Sequence, residues 1–290
     1  MPRILIIRSS FFKDIVLLSN LFRCIKLQLP AADIHFLTNI RYESLVVNNP
    51  YIDQCLFIHE HPIVPDDCMS KAPYDIIVDL ENSKLSRKLK KALKAKAYTL
   101  QTPFISNHLS LKRIFKVVAP LGIVYDGAGA EYFIAKKDEV SATDIPAPHQ
   151  MGYIAILLQG ESHHSQLFTA NMQALCLAVS YPIILVGSAN YQQVGDQIAS
   201  VDSIKVYNAA GKFSINESAD LIRRSKLTMS SINDFSLLAA AYKRPLIMFD
   251  FSVHLLNRWL FYWGWGGIKN PVYIQQLVQQ IRQQLGISSN

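Results

Sequence analysis

Cysteine is scarce in this chain: four in 290 residues, at positions 24, 55, 68 and 176, none in a Cys-x-x-Cys spacing. That excludes a disulfide-stapled scaffold and the thiolate zinc folds. No apolar run approaches the ~20 residues of a membrane span. No secretory leader pattern precedes the first apolar run, so the expectation is a reduced, cytoplasmic protein. Charge is sparse too, at 18% of residues, with 22 acids against 29 Lys and Arg and a net charge of +7. A mildly basic surface tolerates nucleotides, phosphorylated sugars and anionic lipid. No DNA- or RNA-binding module is recognisable, so nucleic acid is not an expected partner. The close histidine pairs, His59 with His61 and His163 with His164, lack i, i+4 spacing and a third ligand, so no metal is expected.

What is present is apolar and periodic. Half of the residues are hydrophobic, enough for one large core or two ordinary ones. Short β-rich runs at 4–7, 34–37, 55–58, 76–80 and 97–100 alternate with helical patterns at 15–29, 84–94 and 109–121. Such alternation signals a parallel sheet with helices on both faces. The periodicity stops over residues 136–150 (KKDEVSATDIPAPHQ), which hold several charges and two prolines. It then restarts, with strands at 154–158, 183–186, 204–207, 227–230 and 246–249 and helices at 170–180, 192–200, 214–224 and 235–242. A Gln-rich helix over 272–285 ends the series. The expectation is α/β: two Rossmann-like domains with a cleft, over residues 1–138 and 151–290, joined by a linker at 139–150.

The first strand runs into the turn Arg8-Ser9-Ser10-Phe11-Phe12-Lys13 and then into Asp14 at the head of a helix. Ligands of open α/β sheets bind above the carboxyl ends of the strands, where a lone acid has the position of a general base. The competing reading is that Asp14 caps the helix. In the second half, Gly160, Gly187 and Gly211 follow three successive strands. Glycine there lets a ligand approach the backbone, and a following helix N-terminus favours phosphate. The alternative is that these glycines only close tight turns.

The ordered series of segments resembles glycosyltransferase family 9, the ADP-heptose:lipopolysaccharide heptosyltransferases. It comprises the strand-turn-Asp-helix at 4–16, Phe36-Leu37-Thr38, Asn49-Pro50-Tyr51-Ile52-Asp53 and Tyr74-Asp75-Ile76-Ile77-Val78-Asp79-Leu80. It continues through Pro120-Leu121-Gly122-Ile123, Ala210-Gly211-Lys212, and Leu238-Ala239-Ala240-Ala241 followed by Arg244-Pro245. The resemblance implies a GT-B fold and inverting transfer of a heptose-like sugar from a nucleotide-sugar donor. The acceptor would be a lipopolysaccharide-core or related bacterial surface glycan. Asp14 would be the base, with Ser9, Ser10 and Lys13 on the acceptor side. Gly160, Gly187, Gly211, Lys212, Ser231, Asn233 and Asp234 would line the donor side. The nucleotide sugar is a co-substrate, ADP-heptose-like by resemblance; no cofactor or metal is implied.

Departures from the family pattern fall mostly on the donor side. Lys13 stands where the family has Gly, and Gln166 where it has Lys. In the donor loop Ile232, Asp234 and Leu237 replace Asp, Gly and His. An inactive GT-B scaffold with a degenerate donor site is therefore the alternative function.

Two surface features remain. The segment from Lys84 to Lys96 (KLSRKLKKALKAK) carries seven basic residues and no acid, with Leu85, Leu89 and Leu93 on one face. It fits peripheral contact with anionic membrane at the inner face of the inner membrane, or a solvated outer helix. Trp259, Trp263 and Trp265 lie in the most aromatic stretch and suit either packing or stacking on a ligand. A monomer is expected.

Overall fold

A computed structural model of the chain describes residues 2–58, 73–92, 98–101, 109–159, 166–231, 235–248 and 274–286. Two compact units are present, Met1–Phe133 and Ile134–Asn290. In the first, β1 (Arg3–Ile7), β2 (Asp33–Asn39), β3 (Gln54–Ile58), β4 (Ile76–Asp79) and β5 (Tyr98–Gln101) form one sheet in the order β3-β2-β1-β4-β5. All pairs are parallel, with Ile7 beside Leu37 on one side and Asp79 on the other. A strand covered on both faces reads as a continuous apolar run, and Ile4 to Ile7 are all buried.

Among the described residues, the helices of this unit are α1 (Phe12–Leu17), α2 (Ser19–Gln28), α3 (Glu43–Val46), α4 (Lys84–Ala92) and α5 (Leu111–Val118). The single helix expected over 15–29 is interrupted at Leu18. There the Ser19 hydroxyl donates to Val16 O at 2.8 Å and the Asn20 amide to Leu17 O at 2.8 Å, bonds that compete with the helical ladder. Leu85 of α4 packs on a core of Leu5, Ile7, Leu37, Leu56, Ile58, Tyr74 and Ile77, while Lys84, Arg87 and Lys88 are exposed.

The second unit repeats the plan. Its strands β6 (Ile154–Leu158), β7 (Ile183–Gly187), β8 (Val206–Asn208), β9 (Leu227–Ser230) and β10 (Leu246–Met248) take the order β10-β9-β6-β7-β8, all parallel. Among the described residues its helices are α6 (Ala147–Gln150), α7 (Gln166–Ala178), α8 (Gln192–Ala199), α9 (Ile215–Arg224), α10 (Ser236–Ala241) and α11 (Ile274–Leu285). The Gln-rich α11 buries Val278 and Ile281 in the core with Met172, Leu175 and Met229. β8 starts two residues later than expected, leaving Ile204 75% exposed before it.

Residues 134–150 are part of this unit. The Val140 N–H donates to Asp220 at 2.9 Å, and Arg224 donates to Val140 O at 2.7 Å. His149 is buried against the Ile183 and Lys205 carbonyls at 3.0 Å. The charges and prolines that interrupt the periodicity thus serve short 3-10 turns anchored on α9 and the sheet edge, and the division between units falls at 133/134.

Cys24 and Cys176 are buried, and burial pushes the Cys176 thiol to about 12 and the half-buried Cys55 thiol to about 11. These thiols are small hydrophobes at neutral pH. Cys68, both histidine pairs and the three tryptophans lie outside the described residues. Among the described residues no group of acids, histidines and cysteines could hold a metal ion, and no helix is long and apolar enough to cross a membrane.

Candidate functional site

Each sheet reverses its winding direction once. In the first unit β1 lies between β2 and β4, so the switch point is at the carboxyl ends of β1 and β4. In the second it is at the ends of β6 and β9. Ligands of open α/β sheets enter at these points.

Arg8 closes β1 and is 1% exposed. Its Nη1 donates to Leu80 O at 3.0 Å, and its Nη2 forms a short ion pair with Asp14 Oδ2. Asp14 is the third residue of α1, fully buried, and its Oδ1 accepts the Leu109 N–H at 3.1 Å. It does not cap the helix: the N-cap residue is Phe11, with no side-chain cap bond. Burial pushes the Asp14 carboxyl above its ordinary 3.8, while Arg8, the Leu109 N–H and Lys13 pull it back. A carboxylate held this way is a stronger base than an ordinary one.

A second carboxylate completes the cluster. Glu81, just past β4, accepts the Ser9 N–H at 2.9 Å and the Ser10 hydroxyl at 2.6 Å, and lies 3.7 Å from Arg8 Nη1. The turn that carries it is set by Asp79, which accepts the N–H groups of Glu81 at 3.1 Å and Asn82 at 2.7 Å. Glu81 is 13% exposed, whereas Asp14 and Asp79 are fully buried. The structure therefore joins Ser9, Ser10 and Asp14 through Arg8 and Glu81. Lys13 is half-buried beside them and acts on Asp14 by its charge.

Phe11 breaks two local rules. Its φ of 64° is in the left-handed half, where non-glycine side chains cost about 1–3 kcal/mol, and its ring is 40% exposed. An N-cap favours Ser, Asn or Asp instead. The ring lies 5.8 Å from the Arg8 guanidinium carbon.

At the second switch point Gln159, following β6, reaches across to the end of β9. Its carbonyl accepts the Ser231 hydroxyl at 3.3 Å and its side-chain oxygen accepts the Phe235 N–H at 3.2 Å. Gly160, Asn233 and Asp234 lie outside the described residues. Leu237, where the resemblance implies a His, is buried in α10.

Gly187 and Gly211 stand one strand away, where their backbones bond at 2.9 Å. A Cβ on Gly187 would lie 2.8 Å from Leu158 O, and Gly211, at φ 76°, would meet Ala189 Cα at 2.8 Å. Backbone packing alone thus demands both glycines. Gly187→Ala is expected to cost about 1–3 kcal/mol in urea denaturation of the nucleotide-free protein. An unchanged midpoint would leave ligand approach as the reason for the glycine. Lys212 is exposed, its ammonium 4.4 Å from the Tyr207 ring centre.

No protein-family model matches the chain, and no curated protein matches it in sequence. Solved structures do. Escherichia coli ADP-heptose lipopolysaccharide heptosyltransferase II is 16% identical with a TM-score of 0.70, covering 98% of each chain. E. coli heptosyltransferase WaaC, solved with ADP-2-deoxy-2-fluoro heptose, is 15% identical with a TM-score of 0.71, covering 97% of this chain and 99% of that one. The glycosyl transferase family 9 structure from Veillonella parvula is 15% identical with a TM-score of 0.69, over 86% of this chain and 80% of that one. The chain has the GT-B fold of glycosyltransferase family 9. At these identities the likeness is one of fold, and the chemistry rests on the two switch points. The GT-B plan explains why Arg8 and Glu81, 73 residues apart, meet: β1 and β4 are sheet neighbours.

Proposed function

We propose that this protein is an inverting glycosyltransferase that moves a heptose-like sugar from a nucleotide-sugar donor to a lipopolysaccharide-core or related surface-glycan acceptor. The observation that carries this reading is the buried Arg8–Asp14 pair at the switch point of the first unit. Asp14 takes the proton of the acceptor hydroxyl as that oxygen attacks the anomeric carbon from the face opposite the leaving group. The nucleoside diphosphate departs with the electron pair of the broken bond, and the anomeric configuration inverts. Asp14 Oδ1 has a second lone pair, so the hydroxyl shares that oxygen with the Leu109 N–H or displaces it. Ser9, Ser10 and Lys13 line the acceptor side. Gly160, Gly187, Gly211, Lys212, Ser231, Asn233 and Asp234 line the donor side, where N–H donors and the Lys212 ammonium offset the charge of the leaving group.

The test is a thermal titration with ADP, GDP, UDP, CMP and their sugar conjugates. A nucleotide at 100 times its Kd stabilises the native state by about 2.7 kcal/mol, a shift of several degrees. One nucleotide is expected to stand out and to support transfer to core oligosaccharides. No shift with any of them would leave an inactive scaffold.

The exposed cations of α4, Lys84, Arg87 and Lys88, suit an anionic membrane that presents the glycolipid acceptor. Each cation near such a surface is worth about 1 kcal/mol. Reversing all three to Glu is expected to abolish sedimentation with vesicles rich in phosphatidylglycerol and to leave nucleotide binding intact. Undiminished sedimentation would remove α4 from the docking surface.

A further inference from the structure

We infer that the amino-end rim of the second unit's sheet docks on an anionic lipid bilayer, with Met151 and Ile204 entering the interface and Lys226 and Lys243 meeting the headgroups. The inference needs neither the transferase reading nor the α4 contact.

The rim is built from the connections that enter the strands. Two of them are basic by sequence: Arg223-Arg224-Ser225-Lys226 before β9 and Tyr242-Lys243-Arg244-Pro245 before β10 hold five cations and no acid. β9 and β10 are sheet neighbours, and the Thr228 N–H donates to Pro245 O at 2.9 Å, so the two connections lie side by side. Arg223, Arg224 and Arg244 all act by charge on the Tyr153 hydroxyl, just before β6. Asp220 and Glu139 pair with Arg223, and Asp220 with Arg224, whereas Lys226 and Lys243 are exposed.

The apolar part adjoins this flank. Among the described residues Met151 and Ile204 are the most exposed large hydrophobics, at 90% and 75%. Met151 precedes Gly152, where φ is 144° and a Cβ would lie 2.7 Å from the Tyr181 hydroxyl and 3.3 Å from Lys226 Cε. The Lys226 stem and the Tyr181 hydroxyl thus close on the backbone beside Met151. On the other side His149 Nε2 reaches Lys205 O at 3.0 Å, which sets the Ile204 connection against the Met151 turn. Asp202, on that same connection, pairs with Lys205 at 3.3 Å. A lone exposed hydrophobe is ordinary. Two on connections that touch, beside lysines and a tyrosine hydroxyl, have the composition of a membrane-surface contact: apolar side chains pass between headgroups while lysines meet phosphates. A soluble polyanion would use the lysines and leave Met151 and Ile204 in water.

The experiment is co-sedimentation with vesicles of phosphatidylglycerol and of phosphatidylcholine, read as the lipid concentration at half binding. Wild type is expected to bind the first and not the second. Met151→Asp with Ile204→Asp, and Lys226→Glu with Lys243→Glu, are each expected to need about tenfold more phosphatidylglycerol. Lys136→Glu with Lys137→Glu makes the same charge change on a turn whose Asp138 bonds Asn216 in the first turn of α9, away from the rim, and is expected to match wild type. The Met151 and Ile204 double variant is expected to melt with wild type; a lower melting temperature would assign both side chains to packing and overturn the inference. Failure to bind phosphatidylglycerol, equal binding to phosphatidylcholine, or wild-type binding by either rim variant would overturn it as well. Wild-type binding by the Met151 and Ile204 variant alone would point to a soluble polyanion instead. An equal loss in the Lys136 and Lys137 variant would assign the attraction to net charge and remove the rim. The α4 variant on the same vesicles separates the two contacts. A loss there with both rim variants at the wild-type value retains α4 and removes the rim; the converse retains the rim and removes α4.

Discussion

Replacing Asp14 by Asn is expected to lower sugar transfer about 10³-fold, the usual worth of a positioned general base, and to weaken the fold as well. The two losses have different origins. Transfer is lost because an amide cannot take the proton of the attacking hydroxyl. Stability is lost because Arg8, 1% exposed, keeps its charge while its closest counter-ion disappears. Breaking a buried pair costs about 3–5 kcal/mol, and Glu81 at 3.7 Å offsets part of that. A double variant, Arg8→Met with Asp14→Leu, removes both charges and is expected to recover most of the stability and none of the activity. Recovery of activity would show that the pair is structural and the base lies elsewhere. The pH profile gives an independent check. Burial raises the Asp14 carboxyl above 3.8, so the acid limb of kcat/KM, which reports the free protein, is expected above 3.8. Asp14 must be ionised to act, so transfer rises with pH through that limb. An acid limb at or below 3.8 would rule Asp14 out as the base.

The fold was legible because buried parallel strands read as short apolar runs and the chain alternates them with helical spacing. Ile154–Leu158 and Leu227–Ser230 coincide with the expected bounds. The site was legible only where it is local. Asp14 could be singled out because it follows β1 directly, but its competing role as a cap could not be dismissed without seeing its oxygens on Arg8 and Leu109. Glu81 carried no signal. It follows a strand like many acids, and only the pairing of β1 with β4 brings it to Ser9 and Ser10, 72 and 71 residues away. Gln159 was obscure for the same reason, since its bonds to Ser231 and Phe235 depend on β6 lying beside β9. Residues 139–150 read as a linker in the sequence because short turns anchored by distant side chains such as Asp220 and Arg224 have no periodicity to detect.

The same blindness to distant partners hides a five-bond clamp in the first unit, and Arg23→Ala is expected to cost about 2–4 kcal/mol. Arg23 of α2 is 5% exposed and uses every donor of its guanidinium. Nε and Nη2 grip both oxygens of Asp126 at 2.7 and 2.8 Å. Nη1 donates to Gly129 O and to Glu131, each at 2.8 Å, and Nη2 also reaches Asn20 Oδ1 at 3.4 Å. These bonds clamp residues 126–131 onto α2, and Ser19 adds to the clamp by accepting the Glu131 N–H at 2.8 Å. Lysine cannot reproduce a planar five-donor fork, so Arg23→Lys is expected to recover less than half of the loss. Acid supplies the signature. The Arg23 fork holds the Asp126 carboxyl at about 2, below its ordinary 3.8. Because the folded-state value is the lower one, this stability is complete above about pH 4 and fades as the pH falls through 2. The difference between wild type and Arg23→Ala in chemical denaturation should therefore be flat from pH 7 to 4 and narrow between 4 and 2. A difference that stays constant to pH 2 would mean the guanidinium acts through the Gly129 carbonyl and its own packing, with the carboxylate pair contributing nothing.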